Sequence, residues 1–171
     1  MHVRDSDSCD IAIVGGGLAG GLAALALVRR RPDLDVRLIE PGAVGGNHIW
    51  SFFDGDIAAH DRWLVEPLIR YRWDGYDVTF PKYRRALPMA YSSLTGEALA
   101  EAVAAMLPAD RRIARSAVLL APGSVGFDDG TRLAARHVID ARGAGDLSDI
   151  DCGWQTFVGQ ALRIAGGHGL T

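Results

Sequence analysis

A glycine-rich turn between an apolar run and a run of small residues places the strongest constraint on this chain. Residues 10–14 read Asp-Ile-Ala-Ile-Val, which favours a short buried strand. The spacing Gly-x-Gly-x-x-Gly follows at Gly15, Gly17 and Gly20. In such a turn the first glycine permits a tight bend, the second admits a phosphate close to the backbone, and the third lets the helix pack against the strand. The stretch therefore predicts a strand–turn–helix unit that binds a dinucleotide.

The residues after this turn complete the pattern of a nucleotide-binding βαβ unit. Residues 18–31 suit a helix, whose amino-terminal N–H groups would face the phosphates. A second strand is predicted at 35–39, and Glu40 follows it at the position where a carboxylate meets ribose hydroxyls. The alternative, a membrane helix over 11–28, conflicts with the five glycines in that stretch and with the acidic residues that precede it.

Composition and charge narrow the class of protein. The chain of 171 residues is 49% hydrophobic and 23% charged, which is typical of a folded globular domain. Its net charge of −3 does not indicate the basic surface that a nucleic-acid partner requires. Cys9 and Cys152 stand apart, and no cluster of potential ligands has metal-binding spacing. We therefore expect no metal site, no nucleic acid and a reducing, cytoplasmic compartment.

A glycine-rich loop is predicted at 41–50. It contains Gly45 and Gly46, followed by Asn47 and His48. In two-dinucleotide folds a loop after the acidic residue passes near the cofactor, so we expect Gly46 and His48 beside it; a plain connector is the alternative. A lone histidine is more often a hydrogen-bonded structural residue than an acid or base. No proton transfer is therefore assigned to His48.

Residues 50–91 have a different composition and contain ten of the chain's thirteen aromatic residues. A short helix that breaks near Pro67 is predicted at 61–70, and strands are predicted over 71–80 around a turn at 74–75. We interpret the region as an insertion that leaves the nucleotide-binding unit and returns to it. Its aromatic side chains either line a pocket for a large apolar ligand or form an ordinary small core. The basic residues within 82–85 favour a solvated loop over a membrane contact.

The following residues alternate between one helix and several strands. Residues 94–107 show an apolar face with helical period, and Ser93 or Thr95 can cap that helix. Asp140, near the end of the last predicted strand, is interpreted as a strand-end carboxylate rather than a catalytic one. That strand ends at Gly143, and in dinucleotide-binding folds of this kind such an exit passes beside the first glycine loop. The strands are predicted at 116–120, 124–128, 131–136 and 137–143.

Five stretches of the sequence together carry a family signal. The most specific reads Gly-Gly-Asn-His-Ile-Trp-Ser-Phe at 45–52. The others are the glycine fingerprint at 10–20, Leu-Ile-Glu at 38–40, Val-Ile-Asp-Ala-Arg-Gly at 138–143 and Gly-Trp-Gln-Thr-Phe-Val-Gly-Gln at 153–160. These stretches resemble the bacterial lycopene β-cyclases of carotenoid biosynthesis, and the resemblance extends to residue 171.

The resemblance implies a fold and a set of cofactor-binding residues. The fold is α/β, a Rossmann-like FAD/NAD(P)-binding fold of the glutathione-reductase-like kind, with an inserted aromatic-rich substrate region. The implied organisation is an FAD-binding domain in two parts, 1–46 and 92–146, an inserted substrate-side region at 47–91, and the start of a truncated substrate domain at 147–171. The residues expected to bind the cofactor are Gly15, Gly16, Gly17, Leu18, Ala19, Gly20, Glu40, Gly46, His48 and Gly143.

The resemblance also implies a reaction. Family members close β-ionone rings at the ends of lycopene, an isomerisation of the intramolecular-lyase kind that needs reduced FAD without net redox change. NAD(P)H is then the expected electron donor, and a lipid-soluble polyene implies peripheral contact with a membrane.

The proton-donating acidic motif of that family lies downstream of the equivalent of Thr171. We therefore assign no catalytic residue and expect this N-terminal part to be inactive and poorly stable alone. The alternatives are an FAD-dependent monooxygenase or oxidoreductase, and a dinucleotide-binding module without chemistry.

Overall fold

The computed structural model describes residues 8–145 together with residues 148, 151, 153, 165 and 166. The predicted start of a further domain at 147–171 lies largely outside these residues. Cys152 and all but the first residue of the motif at 153–160 lie outside them as well.

The described part of the chain contains eleven strands and three α-helices. In chain order they are β1 (Ser8–Val14), α1 (Leu18–Arg30), β2 (Val36–Ile39), β3 (Ile49–Phe53), α2 (Arg62–Val65), β4 (Ile69–Trp73), β5 (Tyr76–Phe80), β6 (Tyr83–Leu87), β7 (Tyr91–Thr95), α3 (Gly96–Met106), β8 (Arg112–Ile113), β9 (Ala117–Ala121), β10 (Ser124–Phe127) and β11 (Arg132–Asp140). Short 3-10 turns lie at Asp54–Asp56, Glu66–Leu68 and Ala109–Arg111.

Six strands form the main sheet, in the order β8-β2-β1-β11-β10-β9. Strand β1 runs parallel to β2 and β11, with Ile13 opposite both Leu38 and Ile139. Strand β8 extends the parallel part beside β2, whereas β10 and β9 add an antiparallel edge. The crossover from β1 through α1 to β2 is the βαβ unit that the sequence predicts. The predicted α/β class is therefore confirmed.

Alternate side chains of β1 serve two separate cores. Ile11 and Ile13 belong to a buried cluster with side chains from α1 and α3, whereas Ala12 and Val14 belong to a cluster with side chains of β10 and β11. Successive side chains of a strand point to opposite faces of the sheet. A central strand that is covered on both faces consequently reads as a continuous apolar run, which explains why residues 11–14 are all buried.

Helix α3 begins two residues later than the sequence predicts. Leu94 belongs to β7, and the helix starts at Gly96 because Thr95 caps it. The Ala98 N–H donates to the Thr95 hydroxyl oxygen at 3.2 Å, which supplies an acceptor to an amide that has no partner within the helix. The prediction of a helix with Thr95 as a possible cap is confirmed. The predicted start of that helix at residue 94 is wrong by two residues.

Two other predictions need correction. The strands predicted separately at 131–136 and 137–143 form one strand, β11, because pairing with β1 continues through Asp140. The helix predicted at 61–70 breaks at Pro67 as expected, because α2 is followed there by a 3-10 turn. Its predicted end is wrong, since β4 begins at Ile69.

A smaller aromatic layer interrupts the nucleotide-binding unit. It consists of the three-stranded sheet β3-β7-β4 and the hairpin β5–β6. Five aromatic rings contact one another across these strands, with ring centroids 5.1 to 6.5 Å apart. They belong to Phe53, Tyr71, Trp73, Tyr76 and Tyr91. The interpretation of 47–91 as a separate inserted region, with those boundaries, stays a prediction.

The apolar stretch at 11–28 is divided between β1, the glycine turn and α1. Among the residues that the structure describes, no helix combines the length and the apolar character needed to cross a bilayer. The glycines break the run because a turn with a positive φ at Gly15 separates strand from helix.

Gly20 should tolerate no side chain. A Cβ at this position would lie 1.8 Å from the Gly15 carbonyl oxygen, and a backbone atom cannot rotate away. We expect Gly20→Ala to lower the free energy of unfolding by at least about 2 kcal/mol, measured by urea denaturation. Gly55→Ala is the matched control because its Cβ would meet no atom within 4 Å; it should cause no loss. Equal stability of the two variants would contradict the packing described here.

Candidate functional site

A cavity of about 660 Å³ lies where β1, β2 and β11 end. In open α/β sheets, ligands bind outside the carboxyl ends of the strands, and this cavity has that position. Its lining residues are Val14, Gly15, Gly17, Leu18, Ala19, Ile39, Glu40, Pro41, Ala43, Gly45, Gly46, His48, Trp50, Arg115, Ser116, Ala117, Ala141, Arg142 and Gly143.

The floor of the cavity is a close contact between the ends of three strands. The Gly15 N–H donates to the Ile39 carbonyl at 2.9 Å, and the Ala141 N–H donates to the Val14 carbonyl at 2.7 Å. Gly15 has a φ of +107°, and a Cβ there would lie 2.4 Å from the Ala141 carbonyl oxygen. Glycine is therefore required at this position for both its conformation and its size.

The start of α1 faces open space. Gly17 is its N-cap residue, no side chain caps this end, and the first turn contains no acidic residue. A Cβ at Gly17 would meet no atom within 4 Å, so the backbone is accessible from the cavity. Amide groups at such a helix end carry a partial positive charge and can bind phosphate oxygens.

Glu40 is fixed at the end of β2 by backbone amides on two sides. One carboxylate oxygen accepts a hydrogen bond from the Gly16 N–H at 2.7 Å, and the other accepts one from the Gly42 N–H at 3.0 Å. An ionised carboxylate has further lone pairs on each oxygen. Because Glu40 also lines the cavity, it can still accept hydroxyl groups of a ligand. The predicted ribose contact stays a prediction.

The glycine-rich loop is tied to the turn and to the start of α3. The Gly45 N–H donates to the Gly16 carbonyl, and the Gly96 N–H donates to the His48 carbonyl, both at 2.8 Å. Gly45 and Gly46 have positive φ values of 76° and 54°. A Cβ on Gly45 would lie 2.4 Å from the Gly96 carbonyl oxygen. The loop therefore forms one wall of the cavity.

The structure brings most of the predicted cofactor-binding residues to one cavity. Gly16 and Gly20 do not line it: Gly16 binds Glu40, and Gly20 packs under Gly15. The exposed His48 ring lies 5.7 Å from the Trp50 ring. The predicted residues that line the cavity are Gly15, Gly17, Leu18, Ala19, Glu40, Gly46, His48 and Gly143.

Sequence reasoning missed two cations in the cavity wall, Arg115 and Arg142. Arg142 precedes Gly143 within a motif that the sequence had already placed at a strand end, so its position was available as a signal. Arg115 follows β8, a two-residue strand that the sequence did not predict. It forms an ion pair with Asp129 and donates to the Thr131 hydroxyl at 2.7 Å.

These groups suit a dinucleotide such as FAD. The accessible backbone at Gly17 leaves room for a phosphate group, where any larger residue would project into the cavity. The uncapped helix end carries a partial positive charge, and Glu40 supplies an acceptor for hydroxyl groups. The two arginines add guanidinium donors, each paired with an aspartate. The donor set therefore fits a molecule with a charged diphosphate and a ribose.

A family comparison covers nearly the whole chain. The model for "Lycopene cyclase protein" matches residues 10–171. The chain belongs to the lycopene cyclase family. The lycopene β-cyclase of Pseudescherichia vulneris is 42% identical over 163 residues, which are 95% of this chain and 42% of that protein. The chain thus spans less than half the length of this relative.

Solved structures support the fold of this lycopene cyclase family member. The tetrameric form of 2-methyl-3-hydroxypyridine-5-carboxylic acid oxygenase superposes with a TM-score of 0.59 at 19% identity, covering 77% of this chain and 38% of that one. A Photorhabdus luminescens protein assigned as an FAD-containing monooxygenase gives a TM-score of 0.51 at 18% identity, with coverages of 79% and 39%. The predicted Rossmann-like fold of the FAD-binding kind is confirmed at the level of the fold.

Asp140 is held by Arg142 in this family member. The Arg142 Nε and Nη2 groups donate to the two Asp140 carboxylate oxygens at 2.9 and 2.7 Å. The side-chain hydrogen bonds from Arg142, with a further one from its backbone N–H, lower the pKa of Asp140 to about 2. Asp140 is therefore ionised at neutral pH, which agrees with its interpretation as a strand-end carboxylate.

The Asp140 carboxyl group should titrate abnormally low. Its pKa is lower in the folded state than the value of about 3.9 in an unfolded chain, so the ion pair stabilises the fold above that pH. This contribution is lost as the pH falls through about 2. A carboxyl ¹³C NMR titration should place the midpoint near 2 in the parent protein. In Arg142→Gln it should return toward about 3.9; the same midpoint in both proteins would contradict the ion pair.

Proposed function

We propose that the full-length protein is an FAD-dependent lycopene β-cyclase. Family membership over residues 10–171 is the observation that carries this proposal. The similar protein from Pseudescherichia vulneris bears the name lycopene β-cyclase, and the cavity presents the groups that a dinucleotide needs. The proposed substrate is lycopene or a related apolar polyene, and the proposed product carries β-ionone rings.

The cofactor would be held by the turn, the loop and the exit of β11. The backbone from Gly15 to Ala19 and the start of α1 would bind the diphosphate, and Glu40 would accept ribose hydroxyls. Gly46, His48 and Gly143 line the same cavity and would complete the wall around the bound group. Reduced FAD, with NAD(P)H as the electron source, would supply electron density near the reacting end of the polyene without net redox change.

The proposed reaction is an acid-initiated ring closure of the intramolecular-lyase kind. An acid protonates the terminal alkene, the resulting cation is attacked by a double bond further along the chain, and a base removes a ring proton. Asp140 is unsuited to the first step because its pKa of about 2 leaves it ionised. We assign no proton donor within this chain, so its proposed part is to bind, orient and shield the reactants.

The aromatic layer suits the proposed substrate. Phe53, Trp73, Tyr76 and Tyr91 form a continuous set of neighbouring rings, and Tyr71 stacks on Trp73 at 6.1 Å. Tyr71 and Trp73 retain 53% and 38% of their surface. Exposed ring faces offer apolar contact to a polyene, and their negative charge density can stabilise a cation.

Ring closure in the absence of oxygen separates this proposal from a redox alternative. Full-length protein with chemically reduced FAD and lycopene, under anaerobic conditions, should yield cyclised product, detected by chromatography and absorption. A strict requirement for oxygen would contradict the cyclase proposal and favour a monooxygenase of the same fold. Dinucleotide binding without any turnover would favour the module that lacks chemistry.

A substitution at Gly17, with a matched control, tests whether this activity depends on the cavity. Gly17→Val should leave the fold intact because its side chain enters open space. That side chain would occupy the space proposed for the phosphate group, so FAD binding and cyclisation should be abolished. Gly55→Val, on an exposed turn, should retain both.

We also propose that the enzyme contacts a membrane through the turn of the β5–β6 hairpin. Phe80 and Tyr83 lie opposite each other at this turn and are 62% and 54% exposed. Lys82 and Arg85 lie beside them, whereas Arg84 pairs with Asp77 at 2.7 Å. Aromatic residues flanked by basic ones suit the boundary of an anionic bilayer. A peripheral contact of this kind would give access to a lipid-soluble substrate.

Loss of the hairpin aromatics should weaken vesicle binding. We expect the double variant Phe80→Ser/Tyr83→Ser to co-sediment several-fold less with vesicles of phosphatidylcholine and phosphatidylglycerol. Lys82→Glu/Arg85→Glu should lose binding mainly to the anionic vesicles, by about fivefold for each charge. Val118→Ser is the control because Val118 is as exposed as Phe80, at 62%, but lies on β9. Undiminished binding by both double variants would contradict the proposed contact.

A further inference from the structure

The two arginines in the cavity wall are held in different ways. Arg115 is engaged on several sides: it pairs with Asp129, donates to Thr131, and its guanidinium carbon lies 3.9 Å from the centroid of the Phe127 ring. Arg142 is bound in the bidentate ion pair with Asp140. Both side chains of that pair retain about half of their exposure, at 47% and 51%.

Arg142 is placed directly beside the glycine turn. Its backbone nitrogen lies 2.7 Å from the position that a Cβ on Gly15 would occupy. The Ala141 N–H donates to the Val14 carbonyl, which fixes the end of β11 against the end of β1. Arg142 therefore lies at the point where the chain turns toward the start of α1, and it is a lining residue of the cavity together with Gly17.

The ion pair leaves part of the guanidinium group available. A guanidinium has five N–H donors in a planar fork, and Asp140 accepts from Nε and from Nη2. The donors that face away from the carboxylate can still bind phosphate oxygens, while Asp140 limits the orientations of the group. A planar, preorganised donor set of this kind suits phosphate groups better than a flexible ammonium does.

The charges around the turn support the same ligand. The first turn of α1 has no acidic residue that could neutralise its amide groups. Glu40, the carboxylate that lines the cavity, already accepts from two backbone amides. A diphosphate at the turn would thus meet the helix end and the Arg142 guanidinium, with the Glu40 charge offset by its own donors.

We propose that Arg142 is a diphosphate-binding residue of this cavity and that Asp140 is its positioning residue. The ligand named here, the diphosphate of FAD, rests on the proposed function. The inference goes beyond that proposal because it assigns a side-chain cation to a group that the glycine turn would otherwise bind through backbone amides alone.

Three ligands measured on the flavin-free, full-length protein test the assignment. FAD and ADP carry the diphosphate, whereas adenosine does not, so calorimetric titration with all three isolates the diphosphate contribution. We expect Arg142→Gln to lower the affinity for FAD and ADP by tenfold or more. The affinity for adenosine should stay within twofold of the parent value. Arg142→Lys should recover part of the lost affinity because it keeps the charge without the fork. Asp140→Asn should give an intermediate loss for ADP and FAD.

Arg132→Gln is the matched control, since it removes the same charge from an exposed position at the other end of β11. It should leave all three affinities unchanged. The assignment is overturned if Arg142→Gln binds ADP as tightly as the parent does, or if its affinity for adenosine falls as much as its affinity for ADP. Either result leaves the proposed FAD binding intact. A parent protein that binds neither FAD nor ADP overturns both. If Arg142→Gln does not fold, a wild-type ADP affinity in Arg142→Lys and Asp140→Asn together overturns it.

Discussion

The structure depends on a backbone contact that leaves no space for side chains. The ends of β1 and β11 approach so closely that a Cβ on Gly15 would overlap the Ala141 carbonyl, and a Cβ on Gly20 would overlap the Gly15 carbonyl. These contacts hold strand, turn and helix together and fix where α1 begins. The uncapped helix end, the exit of β11 and the cavity between them all follow from this arrangement.

Close contacts at other glycines connect the turn to the rest of the chain. Gly45 and Gly96 meet backbone to backbone, and a Cβ on Gly21 would lie 2.8 Å from the Leu99 side chain. Helix α3 therefore packs against α1 while its first residue holds the glycine-rich loop. Because β7 leads directly into α3 and β3 directly follows the glycine-rich loop, the aromatic layer is joined to the cavity wall at two points.

Family membership and site chemistry contribute different parts of the functional argument. The match to the lycopene cyclase family identifies the reaction class that is proposed, whereas likeness to solved oxygenases supports the fold alone. The cavity adds the physical requirements of a dinucleotide: accessible amides at Gly17, a fixed carboxylate at Glu40 and a paired cation at Arg142. Asp140, which the sequence indicates is a strand-end carboxylate, is bound as the counter-ion of Arg142.

The sequence by itself determined the βαβ unit and the position of the glycine turn, because local spacing of glycines and apolar residues encodes them. Its resemblance to the lycopene β-cyclases, which rests mainly on residues 45–52, indicated the family and the α/β class. Only the tertiary structure decided that β11 is one strand, that Leu94 belongs to β7 rather than to α3, and that Arg115 and Arg142 line the cavity. Strand length and side-chain pairing depend on partners distant in the chain. Arg142 and Gly15 are far apart in sequence, and parallel pairing of β1 with β11 brings them together.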